Sequence, residues 1–172
     1  MNPPRKTVCD TRRVSDPHPN HQLITTFYEA FARRDAEAMA ACYHADVKFS
    51  DPVFTDLRGQ LAGDMWRMLC ERGKDLEVEF SKVTADDDTG SAHWDASYTF
   101  AATGRKVLNR IDASFRFKDG LVIEHRDDFP LYKWTRMALG PAGVLLGWTP
   151  MVQGKIRKQA RQQLDKYSAK RA

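Results

Sequence analysis

The stretch FRFKDGLVIEHRDDF, residues 115–129, is two alternating segments joined by Asp119-Gly120. An Asp-Gly pair between alternating segments is a hairpin signal, because both residues tolerate the positive φ that a tight two-residue turn requires. Side chains two apart on a strand share a face. Followed back to residue 106, the first arm puts Val107, Asn109, Ile111, Ala113, Phe115 and Phe117 on one face. The second arm puts Leu121, Ile123, His125, Asp127 and Phe129 together.

Upstream, residues 91–101 alternate in the same way, with Ala92, Trp94, Ala96, Tyr98 and Phe100 on one face. Thr103-Gly104 turns the chain into the next strand, and Asp86 to Gly90 is another turn cluster. Before that cluster, Leu76, Val78 and Phe80 alternate with charged residues. These four segments predict an antiparallel meander with one apolar face to cover.

The first part of the chain supplies the cover. Leu23, Ile24, Phe27, Tyr28 and Phe31 recur at helical spacing over 21–33. Asp35 is placed to cap a second short helix, with Ala38, Met39, Cys42 and Tyr43 facing inward. Val47 and Phe49 alternate before Ser50-Asp51-Pro52 breaks the pattern. Gly59 then precedes a third helix bearing Leu61, Met65, Met68 and Leu69. Helices segregated from an antiparallel sheet define an α+β fold. Three units are expected: a disordered, proline-bearing tail over 1–19, one folded domain over 20–135, and an apolar, glycine-rich segment leading into a basic amphipathic helix over 136–172.

At 172 residues the chain is long enough for one well-buried core. Its net charge of +4 is unevenly spread. Residues 1–20 carry four Lys/Arg and two Asp, residues 151–172 seven Lys/Arg and one Asp, which leaves 21–150 at −4. An acidic central domain argues against nucleic acid as a partner. Cys9, Cys42 and Cys70 have no metal-ligand spacing, and His18, His21 and His44 show none either, so no metal site is expected. The cysteine usage and the lack of an apolar leader point to a reduced, cytoplasmic setting.

Polar residues on a face that alternation turns inward carry the functional information. Asn109, His125 and Asp127 are such residues. A buried carboxylate needs a partner, a shifted protonation state or a function. His125 and Asp127, two apart on one strand, can orient each other and share a proton. The same pattern also fits a structural Asp–His pair, or a register in which Glu124, Arg126 and Asp128 face inward. Asp51 fits either a turn-initiating role before Pro52 or a place in the same interior.

The layout resembles the nuclear transport factor 2-like superfamily, and within it the SnoaL-like and ketosteroid isomerase-like members. The resemblance rests on FYEAFARRDAEAMAACYHADVKFSDPVF, on the TGR turn at 103–105 and on FRFKDGLVIEHRDDF. It implies a cone-shaped sheet with the three helices closing one side, a ligand inside, and a homodimer through the outer face of the sheet. By the comparison with ketosteroid isomerase, Asp51 stands at the catalytic base. Phe27 and Ala113 stand where that enzyme has its oxyanion-hole tyrosine and aspartate, with Tyr28 one position off. By the comparison with limonene epoxide hydrolase, Asp127 matches one catalytic aspartate, while Trp94 and Ala96 replace its arginine and second aspartate.

The resulting expectation is a pocket for a small hydrophobic, oxygen-bearing molecule. Asp51, Asp127 and His125 are the candidate catalytic residues, and Phe27, Trp94, Tyr98, Asn109, Phe115 and Phe129 the candidate ligand contacts. The chemistry expected is cofactor-independent acid–base catalysis of isomerase, dehydratase, hydrolase or cyclase type, with Asp51 as base and Asp127 as acid or water-activating group. A non-catalytic carrier or sensor of a lipid-like molecule is the alternative. The C-terminal segment has three readings, in order: a lid over the mouth of the cone, part of a dimer interface, and a contact with an anionic membrane surface.

Overall fold

The computed structural model describes residues 17–171. The expected N-terminal tail lies outside the described residues up to position 16. From there His18 accepts a hydrogen bond from the Asn20 amide and caps helix α1 (Pro19–Ala32), which opens on a proline. Asp35 caps α2 (Ala36–Ala41) by accepting from the Ala38 amide, and α3 spans Gln60–Arg72.

Six strands form one curved sheet: β1 (Tyr43–Ser50), β2 (Leu57–Arg58), β3 (Glu77–Ala85), β4 (Thr89–Phe100), β5 (Arg105–Lys118) and β6 (Leu121–Asp128). Their order is β2-β1-β6-β5-β4-β3. The expected meander is β3 to β6, but the sheet is mixed, not purely antiparallel. β1 pairs with β6 in parallel, and β2 pairs with β1 antiparallel. Parallel neighbours need a long crossover, and everything from α3 to β5 serves as one. Tyr43, read as the end of a helix, is instead the first residue of β1.

The hairpin at the centre of the sequence forms as expected. Asp119 and Gly120 have φ of 53° and 75°, the turn geometry their side chains permit. Its second arm departs from plain alternation. Arg116 pairs with Glu124, yet Phe117 pairs with Val122, so Ile123 is an extra residue. The bulge turns Val122 inward, fully buried, and leaves Leu121 and Ile123 half-buried. Beyond it, His125 and Asp127 face inward. The concave face packs against α1 and α3 through Ile24, Phe27, Phe31, Met65 and Trp66, all nearly or fully buried.

Three helices follow the sheet: α4 (Leu131–Leu139), α5 (Pro141–Leu146) and α6 (Pro150–Ala169). α4 lies over the ends of β4 and β5. Trp134 Nε1 donates to the Tyr98 hydroxyl (2.8 Å), Thr103 Oγ1 to the Ala138 carbonyl (2.6 Å), and Arg105 Nε to the Met137 carbonyl (2.8 Å). α5 folds back on α4 through two buried glycines, Gly143 and Gly147, where any added Cβ would overlap Thr135. α6 runs along α3 with Leu164 fully buried, and Ser168 Oγ donates to the buried carboxylate of Asp64.

Candidate functional site

β6 carries Asp127 into the interior, where only 3% of its surface is exposed. One carboxylate oxygen, Oδ1, accepts from His125 Nε2 (3.0 Å) and from Trp94 Nε1 (3.2 Å). His125 is fully buried among the rings of Phe27, Phe49, Trp66 and Phe115, the last with its centroid 4.3 Å away. Its other nitrogen, Nδ1, lies 2.7 Å from the Tyr43 hydroxyl, which also accepts from Trp66 Nε1 at 2.7 Å. With Nε2–H donated to Asp127, a neutral imidazole offers Nδ1 as the acceptor for the Tyr43 O–H. A relay of five side chains thus runs Trp66, Tyr43, His125, Asp127, Trp94.

Asp51 approaches from the end of β1. Its Oδ1 accepts from the Val53 amide (2.6 Å) and from the Phe54 amide, while its own amide donates to the Phe54 carbonyl (2.8 Å). The turn-initiating role is therefore real, and the residue is half-buried. Burial pushes the Asp51 carboxyl up to about 7, against the pull of the Phe54 and Val53 amides, and the negative charge of Asp127 adds to the rise. The ring of Tyr98 belongs to the same neighbourhood. Burial raises its hydroxyl above the usual phenol range, the Trp134 N–H opposes that, and the charge of Asp51 adds to it.

Of the expected contacts, Phe27, Trp94 and Phe115 pack around the His125–Asp127 pair. Asn109, Tyr98 and Phe129 also lie on the inward side, and Asn109 and Phe129 are each 9% exposed. Tyr28, one position off the residue expected from the isomerase comparison, is fully buried as well, 5.9 Å from the Trp94 ring, and its hydroxyl finds no partner among the described residues. Burial first, then the charges of Asp127 and Tyr43, hold that hydroxyl well above the usual phenol range. Positions 27 and 28 both fit because the buried stripe of a helix is about 100° wide, one residue's turn.

Tyr43, expected only as an inward residue of a helix, and Trp66, which the periodicity did not single out, both join the hydrogen-bond network around His125. The available signal was chemical: a buried indole or phenol needs a hydrogen-bond partner. From outside, α6 reaches the Asp51 turn, where Arg157 Nε donates to the Pro52 carbonyl at 2.8 Å. A cleft of about 220 Å³ lies there, lined by Val53, Phe54, Thr55, Leu57, Arg157, Lys158 and Arg161. Among the described residues no group of three His, Cys, Asp or Glu is placed to hold a metal ion.

Solved structures share this architecture. An epoxide hydrolase of the limonene epoxide hydrolase-like type from M. tuberculosis superposes with a TM-score of 0.59 at 18% identity, over 77% of this chain and 96% of that one. A putative polyketide cyclase from Xanthomonas campestris pv. campestris gives 0.59 at 20%, over 70% and 96%. A protein with a ketosteroid isomerase-like fold from Catenulispora acidiphila, in complex with trimethylamine, gives 0.62 at 14%, over 75% and 98%. At these identities the likeness is one of fold. No curated protein matches the sequence. The profile of the SnoaL-like domain matches residues 24–125, from the first inward turn of α1 to His125. The chain belongs to the SnoaL-like family, built on the nuclear transport factor 2-like cone.

Proposed function

We propose that the protein carries out proton transfer on a small hydrophobic molecule bearing a carbonyl or similar oxygen, with Asp51 and Asp127 as the working pair. The observation that supports this reading is the pairing of β1 with β6, Phe49 beside His125 and Ser50 beside Arg126, which brings half-buried Asp51 to the strand that carries buried Asp127. The charge of Asp127 is among the causes that raise Asp51. Pairs of acids driven apart in protonation make one a donor and the other an acceptor. The roles expected from the sequence are accordingly exchanged. Asp51, half-protonated near neutrality, donates to the substrate oxygen. Asp127, held by His125 and Trp94, accepts the proton from the neighbouring carbon.

Epoxide hydrolysis and cyclisation are the activities named for two of the similar structures, and opening an epoxide also calls for a proton donor and an acceptor. The test offers enolisable ketones and small epoxides to the wild type, Asp51→Asn and Asp127→Asn. Exchange of the ketone's α-hydrogen for solvent deuterium is read by NMR, and diol formation by mass spectrometry. Turnover in the wild type that drops at least a hundredfold in both variants supports the reading. Binding without turnover, equal in all three proteins, sinks it.

That second outcome describes a carrier, and one observation favours it. The hydrogen bonds of Trp66, Tyr43, His125, Asp127 and Trp94 are satisfied within the protein, as in a structural network.

A further inference from the structure

The α5–α6 junction has its chemistry turned inside out. In α5 and at its C-cap the buried residues are the glycines, Gly143 and Gly147, pressed against Thr135. The large apolar side chains between and after them face solvent: Val144 at 45% exposed, Leu145 at 70%, Leu146 at 49%, Trp148 at 62% and Met151 at 75%. An apolar segment whose core contacts are made by glycine is not using its side chains to fold the chain. Exposed apolar clusters of this kind mark contact sites.

The surroundings identify the contact. Residues 131–172 carry nine Lys/Arg against one acid, Asp165, which is paired with Arg161 (2.8 Å). Residues 1–130 carry eighteen Lys/Arg against twenty-two acids. The positive charge of the molecule is thus gathered on the segment that bears the exposed patch. On α6, Met151, Lys155, Lys158, Gln162 and Lys166 follow at spacings of four and three, one outward stripe, and all are exposed. At 1.5 Å per residue, Lys155 and Lys158 stand about 6 and about 10 Å along the helix from Met151. That places charged ends beside the apolar residues, the combination an interfacial segment needs on an anionic surface. Trp148 suits the same boundary, since its ring is exposed while its N–H is already satisfied by the Leu145 carbonyl at 3.1 Å.

We propose that the α5–α6 junction docks the protein on an anionic lipid bilayer surface, with Leu145, Trp148 and Met151 entering the interface and Lys155 and Lys158 meeting the headgroups. The attachment is peripheral, because no helix among the described residues is long and apolar enough to cross a membrane. It is independent of the proton-transfer reading, since it is measured by partition and not by turnover.

The experiment is flotation of the full chain with vesicles of phosphatidylcholine alone and of phosphatidylcholine mixed with phosphatidylglycerol. Flotation with the anionic vesicles only, lost on raising salt, is the expected result. A blue shift of tryptophan emission should accompany it, because Trp148 is exposed while Trp66, Trp94 and Trp134 are buried. Leu145→Gln with Met151→Gln should weaken partition at least tenfold. Lys155→Gln with Lys158→Gln should weaken it about fivefold per lysine removed. Both pairs are exposed, so thermal stability should not change. Failure to float with the anionic vesicles, or flotation indifferent to lipid charge and salt, overturns the proposal. A wild-type dimer that Leu145→Gln with Met151→Gln turns into a monomer also overturns it, since a second copy would then cover the patch.

Discussion

Trp94 on β4 donates its indole N–H to Asp127 on β6, 3.2 Å away, across the intervening strand. The reach is possible because the row of cross-strand partners beside it is Ala92, Ala113, Asp127, two methyl groups next to a carboxylate. Trp94→Phe keeps an aromatic ring and removes the donor, leaving His125 as the one donor to that oxygen among the described residues. We expect a loss of about 1–3 kcal/mol in urea denaturation. Unchanged stability would mean that the bond contributes nothing to holding Asp127.

Asp51 makes stability depend on pH. Its carboxyl lies at about 7 in the folded protein, above an ordinary value of 3.8. The folded state therefore binds the proton more tightly than the unfolded chain. The stabilisation is fully present below about pH 4 and is lost as pH rises through about 7. A shift of this size corresponds to at most about 4 kcal/mol. Asp51→Asn removes the dependence, so the variant should gain in melting temperature over the wild type at about pH 8 relative to about pH 4. Parallel melting profiles for the two proteins across that range would refute the placement.

Arg157→Ala tests the link between α6 and the Asp51 turn. Loss of the bond to the Pro52 carbonyl should cost about 1 kcal/mol. The diagnostic readout is hydrogen exchange at the Val53 and Phe54 amides, the two donors to Asp51. Faster exchange there, with α1 and β5 unaffected, is expected. Uniform acceleration over the whole chain would point to general destabilisation instead.

Gly147→Ala tests the close approach of α5 to α4. Its Cβ would overlap the Thr135 side chain and the Gly143 carbonyl, so α5 must lift. Overpacking of this kind costs about 1–3 kcal/mol. Protease sensitivity near residues 140–150 should rise, and Thr135→Ala should restore part of the loss. No change in cleavage pattern would show that the junction adapts freely.

The strands from β3 to β6 were legible because one face is core and the other solvent, so alternation survives in the sequence. His125 and Asp127 came out of that pattern unaided. The parallel partner β1 did not, because only Val47 and Phe49 alternate before the chain breaks at Asp51. Ile123 was misread because a bulge leaves no mark in hydropathy: Leu121, Val122 and Ile123 are all apolar, and only the pairing decides which is buried. Tyr43 and Trp66 matter through hydrogen bonds between elements distant in sequence, and periodicity carries no information about such pairs. Asp51 reads in the sequence as turn or interior residue, and the structure shows the turn, with the Val53 and Phe54 amides on one oxygen.

The Ile123 bulge has a consequence for how such a protein diverges. Val122 in the core and His125 in the site lie three residues apart, so they share a face only because one residue is slipped between them. Pairing Ile123 in plain alternation, with the bulge lost and Val122 kept buried, would turn the rest of β6 over. Glu124, Arg126 and Asp128 would replace the interior imidazole and carboxylate. The chemical identity of the interior is thus set by parity: losing the bulge without losing a residue would exchange one set of titratable groups for another, whereas deleting Ile123 itself would restore plain alternation and keep His125 and Asp127 inside.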